Sequence, residues 1–287
     1  MAALKRMLLQ ILTVIAVAYG AVVLLLWLTQ DRLVYFPHIG GAVNTTPARV
    51  KLSFENVRIA TADGETLAAW WVPAEPLRGV ILLLHGNAGS IADRTDYLPH
   101  FNAMGHAVLL VDYRGYGGST GKPSEAGTYA DAQAAWHWLV VQRGFRPADI
   151  VLVGESLGGA VAAELAARVQ PRALVLISAF TSATDLGGEI YPWLPVRLIS
   201  RYRYDTLRHL RKFRGPVLVA HSRDDEIVPF AHGERLYAAA TGAKMLLEMR
   251  GGHNGGFLFG RPEWASMVGT FIRHSLAASP AATLSNN

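Results

Sequence analysis

The chain has 287 residues, 51% hydrophobic and 17% charged, which is enough apolar material for one sizeable core and excludes a disordered reading. It has no cysteine, which excludes disulfides, thiolate metal sites and a cysteine nucleophile, and its ten histidines include no His-x-x-x-His pair, so neither a metal nor a cofactor is expected. The net charge of +5 is modest, and the basic residues between Arg201 and Arg214 interleave with Tyr202, Tyr204 and Phe213 outside any nucleic-acid module, so a solvated or anionic-lipid-facing surface is expected rather than a nucleic-acid partner.

Lys5 and Arg6 precede a run from Met7 to Thr29 that is apolar apart from Gln10, Thr13 and Gly20. At about 1.5 Å per helical residue, such a run crosses a hydrocarbon layer of about 30 Å. Ala16-Val17-Ala18 has the small-x-small form of a cleavage site, but Val22 to Leu28 continues the apolar run beyond it, so an uncleaved single-pass anchor over residues 1–31 is expected. Trp27, Tyr35 and Phe36 suit an interfacial belt. Lys5 and Arg6 outweigh the sparse basic residues on the far side, which predicts a cytoplasmic N-terminus and a non-cytoplasmic domain. Residues 32–53, with Gly40-Gly41 and Pro47, read as a linker long enough to leave the orientation of the domain loose.

The domain itself is expected over 54–276, followed by a flexible tail over 277–287. Phe54 to Thr61 and Thr66 to Val72 flank an Asp63-Gly64 turn and read as a β-hairpin. Apolar strands then alternate with helical patterns: strands at Val80–Leu84, Ala107–Val111, Ile150–Val153, Ala173–Ile177, Val217–Ala220 and Met245–Glu248, with helices between them and a last one near Pro262–Ser275. This is an α/β pattern, a mainly parallel twisted sheet covered on both faces. The stretch 181–215, with Tyr191-Pro192-Trp193-Leu194-Pro195, is longer than a minimal crossover and is expected to form a small cap.

Chemistry concentrates at the strand ends. Gly154-Glu155-Ser156-Leu157-Gly158-Gly159 joins a strand to a helix in the Gly-x-Ser-x-Gly pattern, whose apex presents a hydroxyl at a helix N-terminus. Ser156 is therefore the candidate nucleophile, and the N–H of Leu157, next in sequence, is a candidate oxyanion donor. The loop His85-Gly86-Asn87-Ala88-Gly89 would supply the second donor from Asn87, with His85 packed structurally. Asp112 to Ser119 fits neither the Walker nor the dinucleotide pattern and reads as a tight loop lining the site. Asp225 and His253 each follow a strand, in the order Ser, acid, His that this elbow requires; a serine needs an imidazole to take its proton, and that imidazole needs a carboxylate to orient it.

These motifs together resemble the α/β-hydrolase superfamily, in particular its membrane-anchored serine hydrolases of the abhydrolase-domain and bud-emergence type, over roughly residues 50 to 275. The resemblance rests on His85-Gly86-Asn87-Ala88-Gly89, Asp112-Tyr113-Arg114-Gly115-Tyr116-Gly117, the Ser156 elbow, Asp225-x-x-Val228-Pro229 and Gly252-His253. It implies the α/β-hydrolase fold with Ser156, Asp225 and His253 as catalytic residues, acting on an acyl ester, thioester or lipid-like substrate through an acyl-enzyme. A catalytically silent binding or scaffold protein and a serine peptidase on the same fold are the alternatives. Ser222 departs from the branch, where many members carry Gly after the histidine, at a position expected to hold no catalytic atom.

Overall fold

Glu55–Ala60 (β1) and Thr66–Val72 (β2) form the expected antiparallel hairpin, with Gly64 at its turn in a positive-φ conformation (φ 92°). A computed structural model of the chain describes residues 1–39 and 45–277. The sheet continues through Gly79–Leu84 (β3), His106–Val111 (β4), Ile150–Glu155 (β5), Ala173–Ile177 (β6), Val217–Ser222 (β7) and Lys244–Met249 (β8). Its eight strands lie in the order β1-β2-β4-β3-β5-β6-β7-β8, with β2 antiparallel to β4 and every later pairing parallel. Strands β3 to β7 are covered on both sides, which is why sequences such as Gly79-Val-Ile-Leu-Leu-Leu84 are apolar throughout instead of alternating, whereas the edge strand β8 is partly exposed.

Among the described residues the helices are Ala2–Leu28 (α1), Asp31–Val34 (α2), Leu98–Ala103 (α3), Glu125–His137 (α4), Leu157–Val169 (α5), Ala183–Ile190 (α6), Val196–Ile199 (α7), Thr206–Leu210 (α8), Phe230–Ala239 (α9) and Pro262–Ala277 (α10). One face of the sheet is packed by α4, α5, α8 and α9, around Val80, Leu82, Leu152 and Val219. The other is packed by α3 and α10, where Phe101, Phe259, Trp264 and Phe271 meet Ile81, Leu83 and Val151.

The 181–215 stretch divides. Its first part, α6 and α7, stands over the strand ends, whereas α8 lies against α5 and α9 with Leu210 and Phe213 fully buried. The end of the expected anchor and the first residues of the expected linker, 32–53, are docked on the domain, the latter through Val34, Tyr35 and Phe36. Gln30 donates to Ile199 O at 2.8 Å and accepts from Arg201 N at 2.8 Å, while Asp31 accepts from Arg201 Nη2 at 2.7 Å and Tyr202 Oη at 2.5 Å. Tyr35 is 5% exposed, its hydroxyl 2.7 Å from that of Tyr204, so it serves the domain and not an interfacial belt. Its apolar ring is buried in the domain while its hydroxyl is satisfied by that of Tyr204. Higher up, Trp27 carries the Arg201 guanidinium over its ring at 5.5 Å, and Tyr19 Oη donates to Trp193 O at 2.9 Å. Gly40–Asn44 of the expected linker and residues 278–287 of the expected tail lie outside the described residues.

Candidate active site

Two close approaches at the end of β5 explain the glycines of the elbow. A Cβ on Gly158 would stand 2.1 Å from Leu84 O, and one on Gly154 2.3 Å from Gly158 O, so β3, β5 and α5 could not meet with any larger residue there. Between them Ser156 adopts φ 52° and ψ −115°, a region disfavoured for a residue with a Cβ that costs on the order of 1–3 kcal/mol. The strained turn leaves the side chain at the head of α5, where helix N–H groups and dipole favour negative charge.

Ser156 Oγ lies 3.1 Å from His253 Nε2, and His253 Nδ1 lies 2.8 Å from Asp225 Oδ2, one continuous hydrogen-bonded chain across three loops. Asp225 Oδ1 accepts from Val228 N at 2.7 Å and Ile227 N at 3.0 Å. Burial opposes its ionisation, but hydrogen bonds from His221, His253 and the Val228 N–H outweigh this and hold its carboxyl well below the usual carboxylate range. An ionised Asp225 fixes the tautomer in which Nδ1 carries the proton and Nε2 is free to accept one from Ser156. Asp224, next to it, does not face His253: it stands at the rim, 3.2 Å from Arg250 Nη1, and accepts from Gly251 N at 3.3 Å.

The loop after β3 runs beside the serine: a Cβ on Gly86 would lie 3.5 Å from Ser156 Cβ. Asn87 is held on all sides except its N–H. Its carbonyl accepts from Phe36 N and Tyr116 Oη, both at 2.9 Å, and its side-chain amide donates to Val34 O at 2.9 Å. Leu157, as the first residue of α5, has no intrahelical acceptor for its own N–H. Asn87 and Leu157 line the same cavity as Ser156 and His253. His85 is fully buried, its Nδ1 on Gly86 O at 2.8 Å; burial and the nearby Arg94 charge depress its pKa to about 3, so it stays neutral and structural.

The Asp112–Ser119 loop does not line the site. It buttresses the Asn87 loop from behind, through Tyr116 and through Tyr113 Oη on His85 O at 3.1 Å. Arg114 is occupied by Asp131 and Asp63, in pairs of 2.9 and 2.7 Å. Tyrosines point inward here because each buried hydroxyl finds a loop carbonyl, a pairing that local sequence does not reveal.

The residues that sequence reasoning missed are those gripping the His253 loop. Glu226 Oε2 accepts from His253 N at 2.9 Å, and Ser222 Oγ donates to Gly251 O at 2.5 Å while accepting from Asp224 N at 3.1 Å. The departure at Ser222 therefore has a consequence: the loop after β7 holds the loop after β8 by a buried hydroxyl. Ser222→Ala removes the partner of the half-buried Gly251 carbonyl, at a cost of about 1 kcal/mol. We expect a lower urea midpoint and a several-fold loss of kcat on a soluble ester. Unchanged values for both would show that the His253 loop is held without this hydroxyl.

The cavity encloses about 700 Å³ and is mostly apolar, and its lining includes Ser156 and His253 together with Val22 and Leu26 of α1. Arg94 and Glu155, paired at 2.9 Å, are its only ionic side chains of opposite sign in mutual contact among the described residues.

Comparison with known proteins agrees with this architecture. A family model for the alpha/beta hydrolase fold matches residues 79–200. The chain is similar to an uncharacterized protein of Mycobacterium tuberculosis, 40% identical over 252 residues that cover 86% of this chain and 88% of the other. It is also similar to the alpha/beta hydrolase domain-containing protein WAV2 of Arabidopsis thaliana, 35% identical over 233 residues, 74% of this chain and 76% of the other. Among solved structures, an esterase of Pyrococcus furiosus superposes with a TM-score of 0.70 at 22% identity, covering 85% of this chain and 97% of that one, which is a likeness of fold.

Proposed function

From the premise that this chain belongs to the α/β-hydrolase family, in its abhydrolase-domain branch, we propose that it is a membrane-anchored serine hydrolase that cleaves acyl esters through an acyl-enzyme. The observation that carries this reading is the unbroken chain from Ser156 Oγ through His253 to Asp225 at 3.1 and 2.8 Å. A family fold alone is compatible with many activities, whereas this chain of groups has one economical use.

In the proposed cycle Ser156 Oγ attacks the ester carbonyl carbon while His253 Nε2 takes its proton. The negative charge that develops on the carbonyl oxygen meets the N–H groups of Asn87 and Leu157 and the head of α5. The carbon–oxygen bond to the alcohol then breaks and His253 returns the proton to the departing oxygen. Water attacks the acyl-enzyme by the same route, releasing the carboxylic acid and restoring Ser156. Asp225 stays ionised throughout and stabilises the imidazolium. Treatment of the full chain with a fluorophosphonate, followed by peptide mapping, tests the reading. Label on Ser156 is expected, and a chain that takes none would count for a silent scaffold.

Membrane anchoring rests on α1, whose 27 residues have a mean hydropathy of 2.6 over their most apolar window, with none of that window buried. Its last turns also wall the cavity, which gives the mature protein a use for them. Lys5 and Arg6 put the N-terminus in the cytoplasm and the hydrolase domain on the other side. In a bacterial host, a C-terminal alkaline phosphatase fusion should be active and a green fluorescent protein fusion dark. The opposite pair of signals would reverse this orientation.

A further inference from the structure

The cavity has an unusual wall. Beyond the apolar residues of the docked segment, its lining includes Val22 and Leu26 of α1 and Ile190 and Trp193 of the cap. Tyr19 Oη reaches Trp193 O, so the cap lies alongside the helix for at least the stretch from Tyr19 to its end. Nine residues separate Tyr19 from Leu28, which is about 13 Å of helix. The apolar run from Met7 to Leu28 is about 33 Å long and fills a hydrocarbon layer of about 30 Å with little to spare. Val22, Leu26 and the cap beside them therefore sit at the level of the lipid chains. The cap is dressed for that level: Trp193 is 56% exposed and Leu198 86%, with Ile190 and Tyr191 exposed nearby. A patch of this kind in water is a liability, whereas in acyl chains it is at home.

Building on the serine-hydrolase reading above, we propose that the substrate is a bilayer lipid whose acyl chain enters sideways, through the gap between α1 and the cap, and that Val22 and Leu26 determine the chain length accepted. The route has a physical advantage. A long chain drawn through water would lose favourable surroundings at each methylene, by a factor of about four per carbon, before recovering them in the cavity. A chain sliding from the bilayer past Leu26 exchanges one apolar environment for another. Its ester carbonyl then arrives at Ser156, with the polar part of the lipid towards the Arg94–Glu155 pair and Asn254. The anchor thus supplies part of the substrate site and not attachment alone.

The test uses the full chain in lipid nanodiscs, with nitrophenyl esters of four and sixteen carbons as probes and fluorophosphonate labelling of Ser156 as the check on folding. Leu26→Trp and Val22→Trp are each expected to lower the ratio of kcat/KM for the sixteen-carbon over the four-carbon ester tenfold or more while Ser156 still labels. Leu25→Trp, on a neighbouring position that is exposed and does not line the cavity, should leave the ratio at its wild-type value. An unchanged ratio in both cavity variants, or an equal fall in all three, overturns the proposal. A wild-type chain that labels at Ser156 and hydrolyses the short ester but not the long one overturns the bilayer route and leaves the serine-hydrolase reading standing. Absence of labelling in the wild type overturns that reading, and the bilayer route with it.

Discussion

Ser156→Ala is expected to reduce kcat by at least about 10⁴-fold and to abolish fluorophosphonate labelling, leaving the melting behaviour close to wild type. The loss corresponds to about 5.4 kcal/mol of transition-state stabilisation. Removing Oγ takes away both the attacking atom and the partner of His253 Nε2. The fold should tolerate the change because alanine keeps a Cβ at φ 52°, so the strain of the turn is neither relieved nor worsened, and the backbone bond from Ser156 N to Ile177 O at 2.8 Å is untouched. Initial rates on a soluble ester and a thermal melt suffice. Turnover within tenfold of wild type would mean that Ser156 is not the nucleophile, whatever its position.

The second large effect separates two adjacent acids. Asp225→Asn should lower kcat by about 10⁴-fold, since an amide in place of the carboxylate that faces His253 Nδ1 at 2.8 Å favours the wrong tautomer and no longer stabilises an imidazolium. Asp224→Asn removes a solvent-exposed ion pair with Arg250, of the kind worth about 0–1 kcal/mol, and should change kcat no more than about threefold. Steady-state kinetics on the two variants decide the matter. Equal losses, or the larger loss at position 224, would move the acid assignment off Asp225.

What the sequence made legible was whatever leaves a local or periodic mark. Strands buried on both faces write continuous apolar runs, so the strand at Ala173–Ile177 is readable to the residue. The elbow is readable because Gly154, Ser156 and Gly158 fall within one short strand-to-helix turn, and Asp225 and His253 because each follows an expected strand. The N-terminal segment showed the limit. Tyr35 and Tyr204 are 169 residues apart and joined by one hydroxyl pair, Gln30 meets Ile199 and Arg201 across a similar distance, and no periodicity announces either. A polar tip on an apolar body is equally at home in a bilayer interface and in a buried pair, so the residue type at Tyr35 cannot choose between them. The same holds for Ser222 and Glu226, whose partners are backbone atoms of another loop and so leave no trace in the identity of the residue touched. The short α8, with only five residues, carries too little pattern to show that it belongs beneath the sheet's helices and not over the strand ends.

The docking of Gln30 to Phe36 changes what kind of quantity the substrate concentration is. A domain on a slack tether samples a volume and can reach molecules dissolved around it or borne on a neighbouring surface. Here Asn87, beside the serine, is bonded directly to Val34 and Phe36, within eight residues of the end of α1, and Tyr19 of α1 is bonded to Trp193 of the cap. With α1 bonded to the domain at these points, its tilt in a membrane would set the height at which Ser156 works. On the bilayer route proposed above, encounters would be confined to a plane of lipid, and the rate would follow the mole fraction of substrate in that sheet, not the amount in the surrounding water.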